Sequence, residues 1–139
     1  MTASPLIHRT LLAALLLASA AAMAQTANVE LKGANEVPAN TSTASGTGSI
    51  SVDADKVVSG GVTTTGIEGR VAHIHTGAAG ANGPVIVPLA KNGDNGWSVP
   101  PGTKFTDEQY AAYQAGTLYV NVHSAAHPGG EIRGQLQPK

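Results

Sequence analysis

The sequence predicts an all-β fold, an antiparallel Greek-key sandwich or barrel of about seven strands with one short helix near residues 107–115. Short segments in which apolar and polar residues alternate recur along the chain, as they do in half-buried strands. The 17 glycines and 8 prolines fall largely between these segments, so they indicate turns rather than disorder. Long helical patterns do not alternate with the strands, which excludes a parallel sheet built from βαβ units.

The clearest pair of strands is a β-hairpin in residues 118–136, LYVNVHSAAHPGGEIRGQL. A register that places Val122 opposite Ile132 also places Leu118 opposite Leu136, so the apolar side chains share one face. The opposite face then carries polar residues: His123, Glu131 and Arg133. A hairpin with a purely structural role does not require such a polar cluster.

Five further strands are predicted from the same alternation. They lie at about residues 29–31, 46–53, 57–65, 70–76 and 84–89. The segment KNGDNG at residues 91–96 is rich in Gly and Asn and is predicted to form a turn.

One helix is predicted at Asp107 to Ala115, covering one end of the sheet. Thr106 is a suitable N-cap, Gln109 can complete a capping box, and Gly116 can end the helix. Two tyrosines three positions apart fall on one face and are interpreted as packing residues: Tyr110 and Tyr113.

The first 24 residues have the pattern of a secretory signal peptide. A basic start that ends at Arg9 precedes an apolar run at 11–22, and the small-residue site Ala-Met-Ala follows at 22–24. The run is shorter than the roughly 20 residues of a membrane-spanning helix. We therefore expect export to the periplasm or the extracellular space, no membrane span after cleavage, and one domain at 25–139.

Charge and cysteine content limit the function. The formal net charge is −1 and no basic run occurs, so the chain lacks the positive charge that binds nucleic-acid phosphates. Because the chain has no cysteine, a metal would need nitrogen or oxygen ligands. No nucleophile elbow, phosphate-binding glycine loop or informative carboxylate pair is present.

Apart from His8, the histidines form two pairs: His73 with His75, and His123 with His127. Since strand side chains alternate, His73 and His75 point to the same side and form a two-nitrogen chelate. His123 can complete a site if the two strands are neighbours, and His127, in the turn, is a candidate fourth ligand. Nitrogen ligands without sulfur favour Cu(II), with Zn(II) second.

Simpler interpretations stay open for each of these residues. Two histidines on the polar face of a strand are common, and His127 before Pro128 can serve only to shape the turn. Arg133 can be a surface ion-pair partner of Glu131. A Ser-His dyad is not expected, because adjacent strand residues diverge, as Ser124 does from His123.

Three segments resemble the CHRD domain, a module of secreted proteins: residues 31–38, 72–89 and 116–136. The resemblance implies a single CHRD domain at 25–139 with an immunoglobulin-like or barrel-like all-β fold outside the cytoplasm. It implies little about biochemistry. Members of the family tend to carry Asn where this chain has His127, so the fourth imidazole departs from the family pattern.

A second similarity is to the copper site of Cu/Zn superoxide dismutases. In those enzymes copper lies between a His-x-His strand and a later Val-His, and an arginine near the C-terminus attracts the anionic substrate. Here His73, His75, Val122-His123 and Arg133 occur in that order. The cysteine pair and the zinc-loop ligands of those enzymes are missing.

Three functional hypotheses follow. The first is an exported CHRD-domain protein that binds a metal ion, copper before zinc, through three or four histidines. The second is a superoxide dismutase-like copper enzyme in which Arg133 steers the anion. The third is a non-catalytic module that holds a cell-surface or periplasmic protein, or a glycan, through strand edges or the loops at 77–83 and 125–130. The sequence shows no aromatic platform for sugars, which counts against a glycan.

Overall fold

A computed structural model describes residues 22–139, in which the alternating segments form nine antiparallel strands. The strands are β1 (Gln25–Lys32), β2 (Ser45–Val52), β3 (Val58–Thr65), β4 (Gly69–Thr76), β5 (Val85–Pro88), β6 (Ala90–Asn92), β7 (Gly96–Ser98), β8 (Leu118–Ser124) and β9 (Ile132–Pro138). A 3₁₀ turn (Gly33–Asn35) follows β1, and one helix, α1 (Asp107–Gln114), precedes β8. Most of the predicted signal peptide lies outside the described residues. No helix within them is long and apolar enough to span a membrane.

The nine strands form one sheet in the order β5-β4-β8-β9-β1-β2-β3-β7-β6. The edge strands β5 and β6 are separated in sequence only by Leu89, so the chain passes directly from one edge to the other. The backbone N–H of Leu89 donates to the carbonyl of Ala72 (2.9 Å), and Lys91 Nζ donates to the carbonyl of Gly69 (3.1 Å). These bonds draw the two edges together into a nearly closed barrel.

The predicted all-β fold class is confirmed, but the prediction of about seven strands is too low. The two additional strands, β6 and β7, have three residues each and lie around the segment predicted as a turn. Strands this short do not show alternation in the sequence. Gly61 allows β7 to pair with β3, because a Cβ at Gly61 would lie 2.3 Å from the carbonyl oxygen of Trp97.

The register predicted for the C-terminal hairpin is confirmed. Leu118 lies opposite Leu136 and Val122 lies opposite Ile132, with each of these four side chains 0% exposed. Their apolar face belongs to the barrel interior, together with other fully buried residues: Leu31, Ile50, Ile74 and Val120. The opposite, polar face of the hairpin is therefore turned away from the core.

The helix begins with the predicted capping box and ends one residue earlier than predicted. Gln109 N donates to Thr106 Oγ1 (3.1 Å), and Thr106 N donates to Gln109 Oε1 (3.0 Å). Tyr113 is 0% exposed, and burial raises its pKa to about 12. Its hydroxyl lies 2.9 Å from the carbonyl oxygen of Gln25 and 2.8 Å from that of Ile50, which attaches the helix to β1 and β2.

Replacing Tyr113 with Phe is expected to lower the free energy of unfolding by about 1–2 kcal/mol, because the two buried carbonyls lose their common donor. Tyr110→Phe, in the same helix, is the matched control and should change stability by less than about 0.5 kcal/mol. Urea unfolding followed by circular dichroism measures both. Equal stabilities of the two variants would contradict this role of the Tyr113 hydroxyl.

Candidate metal site

The barrel makes β4 and β8 neighbours, which the sequence alone did not establish. In their antiparallel register His73 lies opposite Asn121, His75 opposite Tyr119, and Val71 opposite His123. Since alternate residues share a face, all these side chains lie on the face away from the barrel interior. This pairing brings together histidines that are about 50 positions apart in the chain.

The three imidazoles of His73, His75 and His123 converge. His73 Nδ1 and His123 Nε2 are 3.1 Å apart, and one ring nitrogen from each histidine lies within 4.8 Å of the other two. Two nitrogens bound to one ion at about 2.1 Å can be at most about 4.2 Å apart. The three histidines could therefore hold a metal ion if small side-chain rotations moved their ring nitrogens slightly closer together.

Backbone carbonyls fix the orientation of two of these rings. Nδ1 of His75 lies 3.0 Å from the carbonyl oxygen of Gly83, and Nδ1 of His123 lies 2.9 Å from that of Pro128. A carbonyl oxygen only accepts, so each Nδ1 carries the proton and each neutral ring has its lone pair on Nε2. Metal-binding histidines are commonly held in this way.

His75 Nε2 is the most informative atom of the cluster. It is buried and has no hydrogen-bond partner within residues 22–139. An unsatisfied buried acceptor costs about 1–3 kcal/mol, so folded proteins rarely retain one without a compensating partner. A bound cation would provide that partner.

The local environment favours neutral imidazoles. Burial lowers the pKa of His73, and the neighbouring rings of His123 and His75 lower it further. Burial also lowers the pKa of His75, although its hydrogen bond to Gly83 partly opposes this effect. Because a metal binds the unprotonated nitrogen, these shifts keep both residues ready to coordinate at neutral pH.

His127 does not belong to the group of described residues that could hold a metal. Its backbone N–H donates to Ser124 Oγ (3.1 Å), and its carbonyl accepts from the backbone N–H groups of Ser124 (3.3 Å) and Gly130 (3.0 Å). These contacts shape the turn between β8 and β9. The structure thus brings together three of the four candidate histidines.

Arg133 is buried beneath the loop at 77–84 and is only 1% exposed. Its Nη2 donates to the carbonyls of Ala78 (3.0 Å) and Ala81 (2.9 Å), and its guanidinium lies 3.4 Å from the ring centroid of Tyr119. The guanidinium is therefore unavailable at the surface, where both the anion-steering and the ion-pair interpretations required it. Glu131 instead accepts a hydrogen bond from Ser42 Oγ (2.7 Å).

Tyr119 connects Arg133 to the histidine cluster. Its ring stacks on that of His75 with centroids 4.7 Å apart and an interplanar angle of 2°. Its hydroxyl accepts from the backbone N–H of Gly83 (3.2 Å), the residue whose carbonyl orients His75. Arg133 thus supports the histidine cluster indirectly. Its guanidinium packs on the Tyr119 ring, which stacks on His75, and it binds the loop whose Gly83 carbonyl orients His75.

Sequence reasoning missed Glu36, which follows the 3₁₀ turn and is 5% exposed. Burial raises its pKa to about 7, while Arg133 and Asn121 partly oppose that shift. Its Oε1 has no hydrogen-bond partner of good geometry within the described residues. A single glutamate in a loop has no periodicity from which its burial could be predicted.

Asn121 was also missed, although it alternates with His123 on β8 and therefore had to share its face. It is 3% exposed, and its Oδ1 lies 2.9 Å from His123 Nε2. This alternation was the one signal in the sequence that could have identified it. Asn121 thus lies between Glu36 and the histidines.

The fold and the site together define the class of this protein as a β-barrel domain with three converging histidines on the outward face of two neighbouring strands. The family model of the CHRD domain matches residues 27–136, so the chain belongs to the CHRD family, as its sequence motifs predicted. Searches of curated proteins and of solved structures found no match.

Substituting Arg133 with Lys tests its structural role, because Lys keeps the charge but loses the planar set of donors and the stacking surface. The free energy of unfolding should fall by about 2–3 kcal/mol, since buried carbonyls lose their partners. Arg70→Lys, at an exposed position of β4, is the control and should have almost no effect. Wild-type stability of Arg133→Lys in urea unfolding would contradict the role.

The raised pKa of Glu36 has a defined effect on stability. The folded state keeps the Glu36 proton up to about pH 7, whereas an unperturbed carboxyl releases it near 4.5. The stability contributed by the protonated form is therefore complete below pH 4.5 and is lost as pH rises through 7. The lowered pKa values of His73 and His75 act in the opposite sense, with stability lost as pH falls below 6.5.

Comparison of wild type with Glu36→Gln isolates the carboxyl, because the histidine contributions are common to both proteins. Wild type should lose up to roughly 3 kcal/mol relative to the variant as pH rises from about 4.5 to 7, with little further change above pH 8. Urea unfolding at a series of pH values measures this difference. Parallel pH profiles would rule out a perturbed Glu36.

Proposed function

We propose that this CHRD-domain protein is exported and binds one Cu(II) ion through His73, His75 and His123, for storage, protection or delivery of the metal. The observation that carries the proposal is the buried, unpartnered Nε2 of His75 beside the two other imidazoles. The carbonyls of Gly83 and Pro128 accept hydrogen bonds from Nδ1 of His75 and of His123, which directs the Nε2 atom of each ring toward the cluster.

The donor set supports copper over other metals. Three imidazole nitrogens without thiolate suit Cu(II) first by the affinity order of divalent ions, and Zn(II) second. The chain has no cysteine that could favour Cu(I) or a sulfur-rich zinc site. Export is supported by the signal-peptide pattern of residues 1–24.

Binding is favoured over superoxide dismutation because of the position of Arg133. Steering an anion to a metal requires an accessible cation whose field reaches solvent. The Arg133 guanidinium is buried, and its donors are directed at carbonyls of the 77–84 loop. We therefore propose a metal-binding role without a catalytic step.

Titration with Cu(II) of the protein purified after expression of the full chain is expected to give one ion per chain and a visible d–d absorption band. His75→Ala should weaken the affinity by roughly 100-fold, since a lost coordinate bond is worth a few kcal/mol. Zn(II) should bind more weakly at the same site. The d–d band and competition with a chelator of known affinity provide the measurements.

His127→Ala is the matched control, because its backbone forms the turn while its side chain lies outside the cluster. It should bind copper like wild type. Unchanged stoichiometry and affinity in a protein carrying both His73→Ala and His123→Ala would end the proposal.

A further inference from the structure

We propose that Asn121 supplies a fourth ligand to this site through its side-chain oxygen, and that Glu36 is the positioning residue that orients it. This inference rests on the proposed function, because it concerns the same ion. It assigns to the site an N₃O donor set, in which the oxygen comes from a neutral amide. Glu36 itself stays outside the group of potential ligands.

The β4–β8 register places Asn121 at the centre of the cluster. Asn121 lies opposite His73 across the two strands and shares a face with His123, two positions along β8. Its side chain also approaches the ring of His75. All three histidines are therefore neighbours of one amide that is only 3% exposed.

In the neutral tautomer of His123, the contact between Asn121 and His123 brings two acceptor atoms together. Because His123 Nδ1 donates to Pro128, the Nε2 of the neutral ring is an acceptor, and Asn121 Oδ1 is also an acceptor. The two atoms are 2.9 Å apart. Two ligand atoms at right angles around one ion, each at about 2.1 Å, are about 3.0 Å apart, so a shared metal ion fits this separation.

Glu36 determines which end of the amide faces the histidines. A Cβ built at Gly130 would lie 2.5 Å from Glu36 Oε1 and 2.6 Å from Asn121 Nδ2, so both atoms border the same small space under the turn. The nitrogen of the Asn121 amide, not its oxygen, is therefore the atom beside this carboxyl. Rotating the amide by 180° would direct Oδ1 at the carboxyl and turn Nδ2, which is only a donor, toward the histidines.

Gly130 makes this arrangement sterically feasible. Its φ of +123° and the absence of a side chain let the β8–β9 turn close over Glu36 and Asn121. The turn then excludes water from the amide and the carboxyl. Side-chain amide oxygens can act as weak additional ligands in copper sites, and the position of Asn121 beside the three imidazoles would suit it to that role.

The test measures electron paramagnetic resonance spectra, d–d maxima and Cu(II) affinities of protein expressed from the full chain. Asn121→Ala should keep one Cu(II) per chain, shift the copper hyperfine splitting and weaken affinity by about 10-fold. Glu36→Gln should change the spectrum in the same direction, because the amide of Asn121 is no longer held in one orientation. Substitution of a residue that orients a metal ligand typically weakens metal affinity by about 10-fold or more.

Two further variants keep the test decisive. Asn121→Asp is nearly isosteric and offers an anionic oxygen, so it should bind Cu(II) more tightly than wild type, and it replaces Asn121→Ala if that variant does not fold. Asn28→Ala is the matched control for Asn121→Ala, since Asn28 is an exposed asparagine of β1 that lies opposite Gln137 in the sheet. It should leave spectrum and affinity unchanged.

The outcomes separate the two proposals. If wild type binds Cu(II) but Asn121→Ala and Asn121→Asp have the wild-type spectrum and affinity, the fourth-ligand inference fails and the three-histidine site stands. A wild-type spectrum for Glu36→Gln overturns its positioning role. If wild type binds no Cu(II), the proposed function fails, and the fourth ligand fails with it.

Discussion

The pairing of β4 with β8 is the constraint on which the rest of this structure depends. Its register brings His73 and His75 beside His123, and a slip of one residue would turn every side chain of β4 to the opposite face. The register is fixed on the other side of the sheet, where Ile74 and Val120 are opposite each other and fully buried. The packing of the barrel interior thus determines the geometry of a site that lies outside it.

A loop and a turn cover part of this outer face, so the site is partly buried. Arg133, on the neighbouring strand β9, holds the 77–84 loop through two carbonyls, and the loop returns the Gly83 carbonyl to His75. Tyr119 lies between the guanidinium and the imidazole. A buried Arg with this set of contacts is better explained as a device that orders a loop over the histidines than as a source of long-range attraction.

Local signals in the sequence predicted those parts of the molecule that local interactions determine. The hairpin register and the capping box of α1 follow from side-chain alternation and from residues three positions apart, and both are confirmed. Alternation also placed His73 and His75 on one face. It could not show that β8 is the neighbour of β4, because that pairing joins segments about 50 positions apart.

The features that the sequence did not reveal depend on which segments of the chain cover the polar face of the hairpin. Alternation shows that Asn121 and Arg133 are on the polar face of the hairpin, and polar faces of antiparallel sheets are usually solvated. Here the 77–84 loop and the turn after β8 cover that face, so both residues are buried. The burial of Glu36 has the same origin. Strands β6 and β7 were missed because three residues are too few to show a period.

The free-energy cost of burying polar groups is the strongest general argument that the outward face of β4, β8 and β9 has a function. Four of the six buried polar or charged residues of the described chain belong to this one region: Glu36, His75, Asn121 and Arg133. Two of their atoms, His75 Nε2 and Glu36 Oε1, have no hydrogen-bond partner there. A barrel stabilised only by its core would gain nothing from retaining them. An ion that binds the folded state and not the unfolded chain would recover part of this cost as stability, so folding and metal binding would be linked at the same few atoms.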